Sequence, residues 1–547
     1  MSRASRKRFL AIVLPFTAAA LGVASAHATK AEELYNDGDL ALRWDNTIRY
    51  STAFRIGGRD PALLAEPNGD DGDRNFAPGL ISNRIDLLSQ FDIAKGGFGL
   101  DVSAAAWYDT VYNQRNDNNS PATFNPVSVP HDQFTNSARD LHGRHAELVN
   151  AFIYGDTELA GKPLSFRLGR HTLLWGESLF FADNGIAAGQ SPIDDIKGIT
   201  RSGSYATDAF LPIAQVSGTL RVRDDIAIEA YYQLEWRPTR LPGAGSYFSA
   251  DDYLDAGAER YIVGPGRYYY HSFDQPAPAS GQYGAALRLR ADDVDYGLYA
   301  LRFNARDALL YYRPGVGVGY DGYGPRVIDP SVVNFAIGQI GTYYRVYPRG
   351  IEIYGASAAL TLGDSSFAAE ISGRRNMPLP SGSLVVWPGQ SADADRNALY
   401  AIGDTLNADI SSVTNLGRNS LWDSATVSAD IAANWRIDVT RNPIALDRTV
   451  KRLAAAFQTR FEPTYFEVLP HLDLTLKLGV GYDFVGNLSP DPYRGQTEGA
   501  GEVDVGITAT YFAVWSGTIS MTHFMGSPYT QTLADRDFIS LSVQRTF

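Results

Sequence analysis

The chain has 547 residues, a formal net charge of −13 and no cysteine. The lack of thiols excludes disulfides, thiolate metal sites, a cysteine nucleophile and a lipid anchor attached through an N-terminal cysteine. The acidic balance argues against nucleic acid as a partner, because binding to phosphates needs a basic surface.

The first residues have the order of a secretory signal peptide. Basic residues precede an apolar run at 9–23, and small residues follow at 26–28. This order predicts a signal peptide at 1–28 and a mature chain that begins near Thr29. The alternative is a membrane anchor, but the run is short and contains Pro15.

From residue 40 onward, apolar and polar residues alternate with a period of two. In the first segment the even-numbered positions carry apolar residues: Leu40, Leu42, Trp44, Ile48, Tyr50, Phe54 and Ile56. The odd-numbered positions carry polar or charged residues: Arg43, Asp45, Thr47, Arg49, Ser51 and Arg55. The pattern returns at 98–112, 472–484 and 501–511. It predicts long β-strands with one apolar face. In lipid such strands must close into a barrel, with the apolar face outward and the polar face toward the lumen.

The predicted fold is therefore an all-β transmembrane antiparallel barrel that occupies residues 29–547. We count about 16 strands and accept 14 to 18, since 305–349 and 375–449 are long enough to hide further hairpins. Four links read as tight turns: 94–97, 223–225, 291–293 and 363–366. The other links are long, and 242–281 and 378–446 are predicted to be external loops.

The chain ends on the alternating segment "FISLSVQRTF" at 538–547. A last strand without a tail must pair with a neighbour, and the first strand is the partner that closure provides. A terminal aromatic on such a strand resembles the signal read by the barrel assembly machinery. Arg545 departs from that signal, because it lies on the outward parity, where another apolar residue is usual.

The link from 176 to 212 is too apolar for a loop that is simply exposed to water. We predict that it folds into the lumen as a plug or forms an external cap. Its candidate plug or ligand-binding residues are Trp175, Glu177, Phe180, Phe181, Asp194, Asp195 and Arg201. The alternative is that Arg170, Trp175 and Glu177 only tie this loop to the wall.

Charges of both signs lie on the inward parity. The candidate lumen charges are Arg43, Arg49, Arg84, Asp45, Asp86 and Asp101. They fit a salt-bridge network around a plug, and they also fit a conduction path.

Several other motifs have two interpretations. The tyrosine-rich segments 267–273 and 308–324 fit an aromatic binding surface or stiffened loops. "NGDDGDRN" at 68–75 has the oxygen-rich look of a calcium loop but lacks the spaced glutamate of an EF-hand, so we favour a turn with solvated acids. No nucleophile motif such as Gly-x-Ser-x-Gly accompanies the histidines, and we predict no enzyme activity, no metal and no cofactor.

Four stretches resemble a known family. "NGDDGDRNFAPGLISNRIDLLSQFDI", "AAAWYDTVYN", "LGRHTLLWGESLFFADNGI" and "YQLEWRPTRLPGAGSYFSADDYL" occur here in the same order as in the proteobacterial outer-membrane family known as domain of unknown function 1302. The resemblance implies an outer-membrane barrel that acts with hydrophobic or aromatic compounds. It also implies an exported partner protein and an inner-membrane transporter of the resistance-nodulation-division type.

The sequence thus predicts an outer-membrane channel or docking component for hydrophobic or aromatic small molecules. Two alternatives stay open: a general or substrate-specific porin, and a surface protein without a transport role.

Overall fold

The structure, a computed structural model, describes residues 33–200, 209–318, 325–487 and 497–547. The predicted signal peptide lies outside these residues. None of the helices in the described part of the chain has the length and hydropathy needed to cross a membrane.

Eighteen antiparallel strands of the described residues form one closed barrel. In chain order they are β1 (Leu40–Arg55), β2 (Gly79–Lys95), β3 (Phe98–Asp109), β4 (Arg144–Leu159), β5 (Lys162–His171), β6 (Ile213–Arg223), β7 (Ile226–Gln233), β8 (Tyr283–Ala291), β9 (Val294–Phe303), β10 (Ile351–Leu362), β11 (Ser365–Pro378), β12 (Ile402–Leu416), β13 (Ser424–Arg441), β14 (Leu453–Leu469), β15 (Leu472–Val485), β16 (Gly501–Tyr511), β17 (Trp515–Met525) and β18 (Phe538–Thr546). β18 pairs with β1, from Thr47 opposite Thr546 to Arg55 opposite Phe538. Every wall strand therefore has a hydrogen-bonded partner on both sides, as lipid requires.

The count of about 16 strands was two too low. The missed hairpin is β12–β13, which lies within 375–449, so 378–446 is not one external loop. Its lipid-facing positions include small residues such as Ala408, Ser412 and Ala429, which weaken the apolar alternation. The described parts of the segment 305–349, residues 305–318 and 325–349, contribute strands to the loops and none to the wall.

The two ends of the barrel differ. Short turns join the strand pairs at one end, the turn end, where Gly96 and Gly97 have φ values of 57° and 88°. Turn residues with positive φ suit a tight hairpin, because the twist of such a turn matches that of the flanking strands. The long links emerge at the other end, the loop end. Barrels of this class have short periplasmic turns and long extracellular loops.

The outer face of the wall is apolar. Exposed side chains there include Leu298, Ile410 and Ile431, at 56%, 64% and 54%. Arg545 also lies on this face, with its guanidinium 5.3 Å from the centre of the Trp515 ring. A cation over an aromatic ring can keep its charged end at the interface, which explains this departure from the apolar pattern.

The loops at the loop end fold into a cap. Five strands form a sheet in the order Leu384–Val385, Leu309–Pro314, Gln339–Val346, Arg267–His271 and Arg260–Gly264. Tyr311 and Tyr343 have no exposed surface within it. Tyr311 belongs to the tyrosine-rich segment 308–324, so the described part of that segment contributes to the interior of the cap. Whether the two segments bind aromatic compounds or only stiffen the loops stays a prediction.

The remaining elements are short. The strand Glu33–Asn36 pairs with β1, and Val316–Val318 pairs with Pro325–Val327. The helical segments are Leu63–Ala65, Asp71–Arg74, Asn136–Ala138, Arg139–Gly143, Ile186–Gly189, Asp195–Thr200, Pro330–Val332 and Phe335–Ile337.

A buried ion cluster lies where the barrel closes. Arg55, at the loop end of β1, contacts Asp73 at 2.5 Å and Asp535 at 3.0 Å. The same guanidinium donates to the carbonyl oxygen of Phe76 at 2.8 Å. The loop after β1 and the loop before β18 are thus joined across the seam between the first and last strands.

A charge on the lipid-facing side should impair assembly, whereas one in the lumen should not. Ile507→Arg replaces a side chain that is 42% exposed on the outer face of β16, and a cation there costs about 2–4 kcal/mol at the bilayer midplane. Thr508→Arg is the control, since the Thr508 hydroxyl meets that of Thr518 at 3.0 Å on the lumen side. Folding is measured by heat-modifiable migration in detergent gels. Equal behaviour of the two variants would contradict this register.

Single cysteines in this cysteine-free chain test the added hairpin. Ile444→Cys, at a position that is 94% exposed after β13, should react with an impermeant maleimide on intact cells. Arg418→Cys lies in the turn between β12 and β13, where the Arg418 side chain is 81% exposed, and should react only after the outer membrane is permeabilised. Labelling of both positions on intact cells would contradict the β12–β13 hairpin and would mean that 378–446 is a single external loop.

Candidate functional site

The link between β5 and β6, residues 172–212, enters the barrel from the loop end. We call it the inner loop, and 172–200 and 209–212 of it are described. Gly176 has a φ of +92°, and a Cβ there would lie 2.4 Å from a carboxylate oxygen of Glu370 on the wall. Only glycine allows this backbone conformation and this close approach together.

Two wall carboxylates accept hydrogen bonds from the backbone of the inner loop. Glu370 on β11 accepts from the N–H groups of Glu177 and Ile186, the latter at 2.8 Å. Asp430 on β13 accepts from the N–H groups of Leu179 and Phe180 at 2.8 and 3.0 Å. Buried amides must find acceptors, and an ionised carboxylate is a strong one.

A third contact uses the side chain of Asn184. Its amide nitrogen donates to Asp409 on β12 at 3.0 Å, and its oxygen accepts from Asn407 at 2.9 Å. Arg374 on β11 donates to the carbonyl oxygen of Gly185 at 2.9 Å. The loop therefore bonds to the wall through both donors and acceptors.

Trp175 and Glu177 contact side chains of the neighbouring strands β7–β10. The Trp175 ring, 2% exposed, lies 5.1 Å from that of Tyr231 and 6.0 Å from that of Tyr299. Glu177 accepts from the Ser357 hydroxyl at 3.3 Å and lies 3.9 Å from Arg288. These contacts fit the interpretation that Trp175 and Glu177 tie the loop to the wall. A ligand-binding role for either residue stays a prediction.

The other predicted residues of this loop lie apart from that pair. Asp194 is bonded to Arg240 at 3.0 Å, and Arg240 also binds Glu147 on β4. Asp195 donates its backbone N–H to the carbonyl oxygen of Arg240 at 3.0 Å. Phe180 lies 5.9 Å from the guanidinium of Arg460.

Two of the predicted residues remain. Phe181 donates its N–H to the Ser178 hydroxyl at 3.0 Å. Arg201 lies outside the described residues.

The predicted lumen charges form one compact group and several separate positions. Arg84 and Asp86 contact at 2.6 Å, Arg49 lies 3.7 Å from Asp86, and the Arg84 guanidinium stands 4.6 Å from the Trp107 ring centre. Arg43, Asp45 and Asp101 lie further toward the turn end.

Two cavities flank the inner loop. The larger, about 380 Å³, lies toward the turn end between Trp175 and the strands β2–β8. Its apolar surface comes from Phe152, Phe166, Leu173, Leu174 and Trp175, and its charges from Asp92, Asp101, Asp156, Arg167, Arg221, Glu229 and Arg288. The smaller, about 70 Å³, lies toward the loop end beside Arg306 and Arg374.

The sequence did not identify the anchoring acids Glu370, Asp409 and Asp430. Glu370 falls within a strand that was predicted, at an inward position directly after Ala368 and Ala369, and that isolated inward acid is the one available signal. Asp409 and Asp430 lie in the missed hairpin. Tyr299, which contacts Arg288 in the same region, was also not identified as a site residue.

These features define a closed membrane-type β-barrel whose lumen is divided by an inner loop. The chain belongs to the family described as "Protein of unknown function (DUF1302)", whose model matches residues 9–547. A search of curated proteins found no match.

Several solved structures are similar to this chain over most of its length. OccAB4 of Acinetobacter baumannii is 9% identical with a TM-score of 0.41, over 95% of this chain and 99% of that one. OccK2 of Pseudomonas aeruginosa, in complex with glucuronate, is 11% identical with a TM-score of 0.41, over 92% and 98%. The channel DcaP of Acinetobacter baumannii is 10% identical with a TM-score of 0.37, over 94% and 99%.

Removal of the two anchoring carboxylates should release the inner loop. In the double variant Glu370→Ala with Asp430→Ala, four backbone N–H groups lose their acceptors, at about 1–3 kcal/mol for each buried group left unpaired. Single-channel conductance in planar bilayers should rise above that of the intact protein. Asp45→Ala is the matched control, since it removes an inward carboxylate of β1. A rise of equal size in the control would assign the effect to lumen charge.

Proposed function

We propose that the protein is an outer-membrane channel for small organic molecules that combine an apolar or aromatic ring with polar groups. The closed barrel, its apolar outer face and its short turns support a location in the outer membrane. The channel is narrow because the inner loop is bonded to the wall.

The cavity of about 380 Å³ carries the proposal. This size lies within the range of about 300–1,000 Å³ that small-molecule pockets occupy. Trp175 and Phe152 supply aromatic surface, and the guanidinium of Arg167 stands 5.7 Å from the Phe152 ring centre. A ring with a polar substituent matches such a lining better than a hydrated ion or a purely apolar molecule does.

The alternative of an open general porin has less support. The inner loop has direct hydrogen bonds or ring contacts with side chains from β7 to β14, including Tyr231, Glu370 and Asp430. A loop held on so much of the wall leaves a reduced passage on the remaining side of the lumen. An open porin would need that passage to be wide.

Aromatic solutes should block the ion current in a saturable way. Benzoate and the neutral analogue benzyl alcohol, added from the turn end, should reduce current through the intact protein at concentrations at which acetate has no effect. Trp175→Ala should weaken the block about tenfold, because it removes an aromatic contact worth about 1–1.5 kcal/mol. Trp435→Ala is the control, since that ring is 48% exposed on the outer face.

Two results would contradict the proposal. Block by acetate equal to that by benzoate would show that the ring is not recognised. High conductance of the intact protein, unchanged when residues 180–209 are replaced by a short Gly/Ser linker, would favour the open porin.

A further inference from the structure

Three aspartates meet inside the cap, away from the inner loop. Asp70 and Asp71 belong to the loop after β1, and Asp252 belongs to the link between β7 and β8. One carboxylate oxygen from each lies within 4.8 Å of those of the other two. The side chains are 0%, 1% and 1% exposed, so the interpretation of 68–75 as a turn with solvated acids was wrong.

Hydrogen bonds orient these carboxylates and leave oxygens for another partner. Asp71 accepts from the side chain of Asn118 at 3.0 Å and from the backbone of Asn125 at 2.9 Å. Asp252 accepts from the Asp71 N–H at 3.0 Å through one oxygen. Its other oxygen, and one oxygen of Asp70, have no hydrogen-bond donor among the described residues.

A neutral side-chain oxygen also lacks a hydrogen-bond donor from the described residues. The side-chain oxygen of Asn125 is buried and has no donor in the described part of the chain, although the backbone N–H of this residue contacts Asp71. Asn125 is fully buried. Buried oxygens without donors are rare in folded proteins, and several at one place indicate a missing positive partner.

The charges lead to the same conclusion. Among the described residues, Arg74 is the cation bonded to this group, through Asp70. Three ionised carboxylates and one guanidinium leave two negative charges in a buried place, which is costly without a counter-ion.

We propose that Asp70, Asp71 and Asp252 bind one calcium ion. Calcium prefers oxygen ligands at about 2.3–2.6 Å, so two ligands on opposite sides of one ion lie up to about 5 Å apart. The separations of the three carboxylates fit around such an ion. Asn125 and water supply further oxygens, and flexible coordination of this kind suits calcium better than magnesium. The ion joins the loop after β1 to the link between β7 and β8.

Titration of the full-length, detergent-folded protein tests the site. After treatment with EDTA, the protein is titrated with Tb³⁺, whose luminescence is sensitised by nearby tyrosines, and bound Tb³⁺ is then displaced with Ca²⁺ or Mg²⁺. We expect one saturable site with a Kd for Ca²⁺ of about 10⁻⁴ to 10⁻³ M, as in extracellular calcium modules. Mg²⁺ should displace Tb³⁺ at least tenfold less effectively.

Substitutions assign the site to these residues. Asp252→Asn and Asp70→Asn should each weaken Ca²⁺ binding at least tenfold, and each keeps the size of the side chain. Asp132→Asn is the control, since it removes an acid of the cap that pairs with Arg115. All variants are first checked for folding by heat-modifiable migration.

The titration of the intact protein is decisive even if a variant fails to fold. Absence of saturable Tb³⁺ binding that millimolar Ca²⁺ displaces would overturn the proposal. Binding that is unchanged in folded Asp252→Asn and Asp70→Asn would overturn it as well, because the ion would then lie elsewhere.

Discussion

The interior of this barrel depends on hydrogen bonds from backbone amides of the inner loop to carboxylates of the wall. Glu370 and Asp430 each accept two such bonds. The wall strands use their own backbone groups within the sheet, so a segment that crosses the lumen must find its acceptors on side chains. A carboxylate suits this task, because it offers two oxygens and a charge to donors that lie close together.

The position of the cavity follows from these bonds. They hold the segment around Gly176 against β11, and this brings the Trp175 ring to Tyr231 and Tyr299. The aromatic surface of the cavity is therefore backed by wall residues and does not depend on a free loop. A site with rigid support of this kind loses less entropy when it binds a small molecule.

The sequence was sufficient to predict the class of fold and to show that the inner loop is too apolar for a simple exposed loop. β3 and β15 were predicted because large apolar residues alternate with polar ones, whereas β12 and β13 were missed because alanines and serines reduce that contrast. The sequence could not predict which wall residues bind the inner loop. The bond from Ile186 to Glu370 spans 184 residues and that from Leu179 to Asp430 spans 251. Only closure of the barrel decides which inward acid meets which amide.

The ion cluster of Arg55, Asp73 and Asp535 couples closure of the barrel to completion of the cap. Two of its members flank the place where the first and last strands meet, and all three side chains are nearly inaccessible to water. Asp535 lies directly before β18, so Arg55 and Asp73 lack this partner until the last strand pairs with the first. Completion of the cluster therefore requires closure of the barrel, and a chain whose edge strands have not paired also has an unfinished cap. Once formed, the cluster acts as a latch that opposes lateral parting of the edge strands.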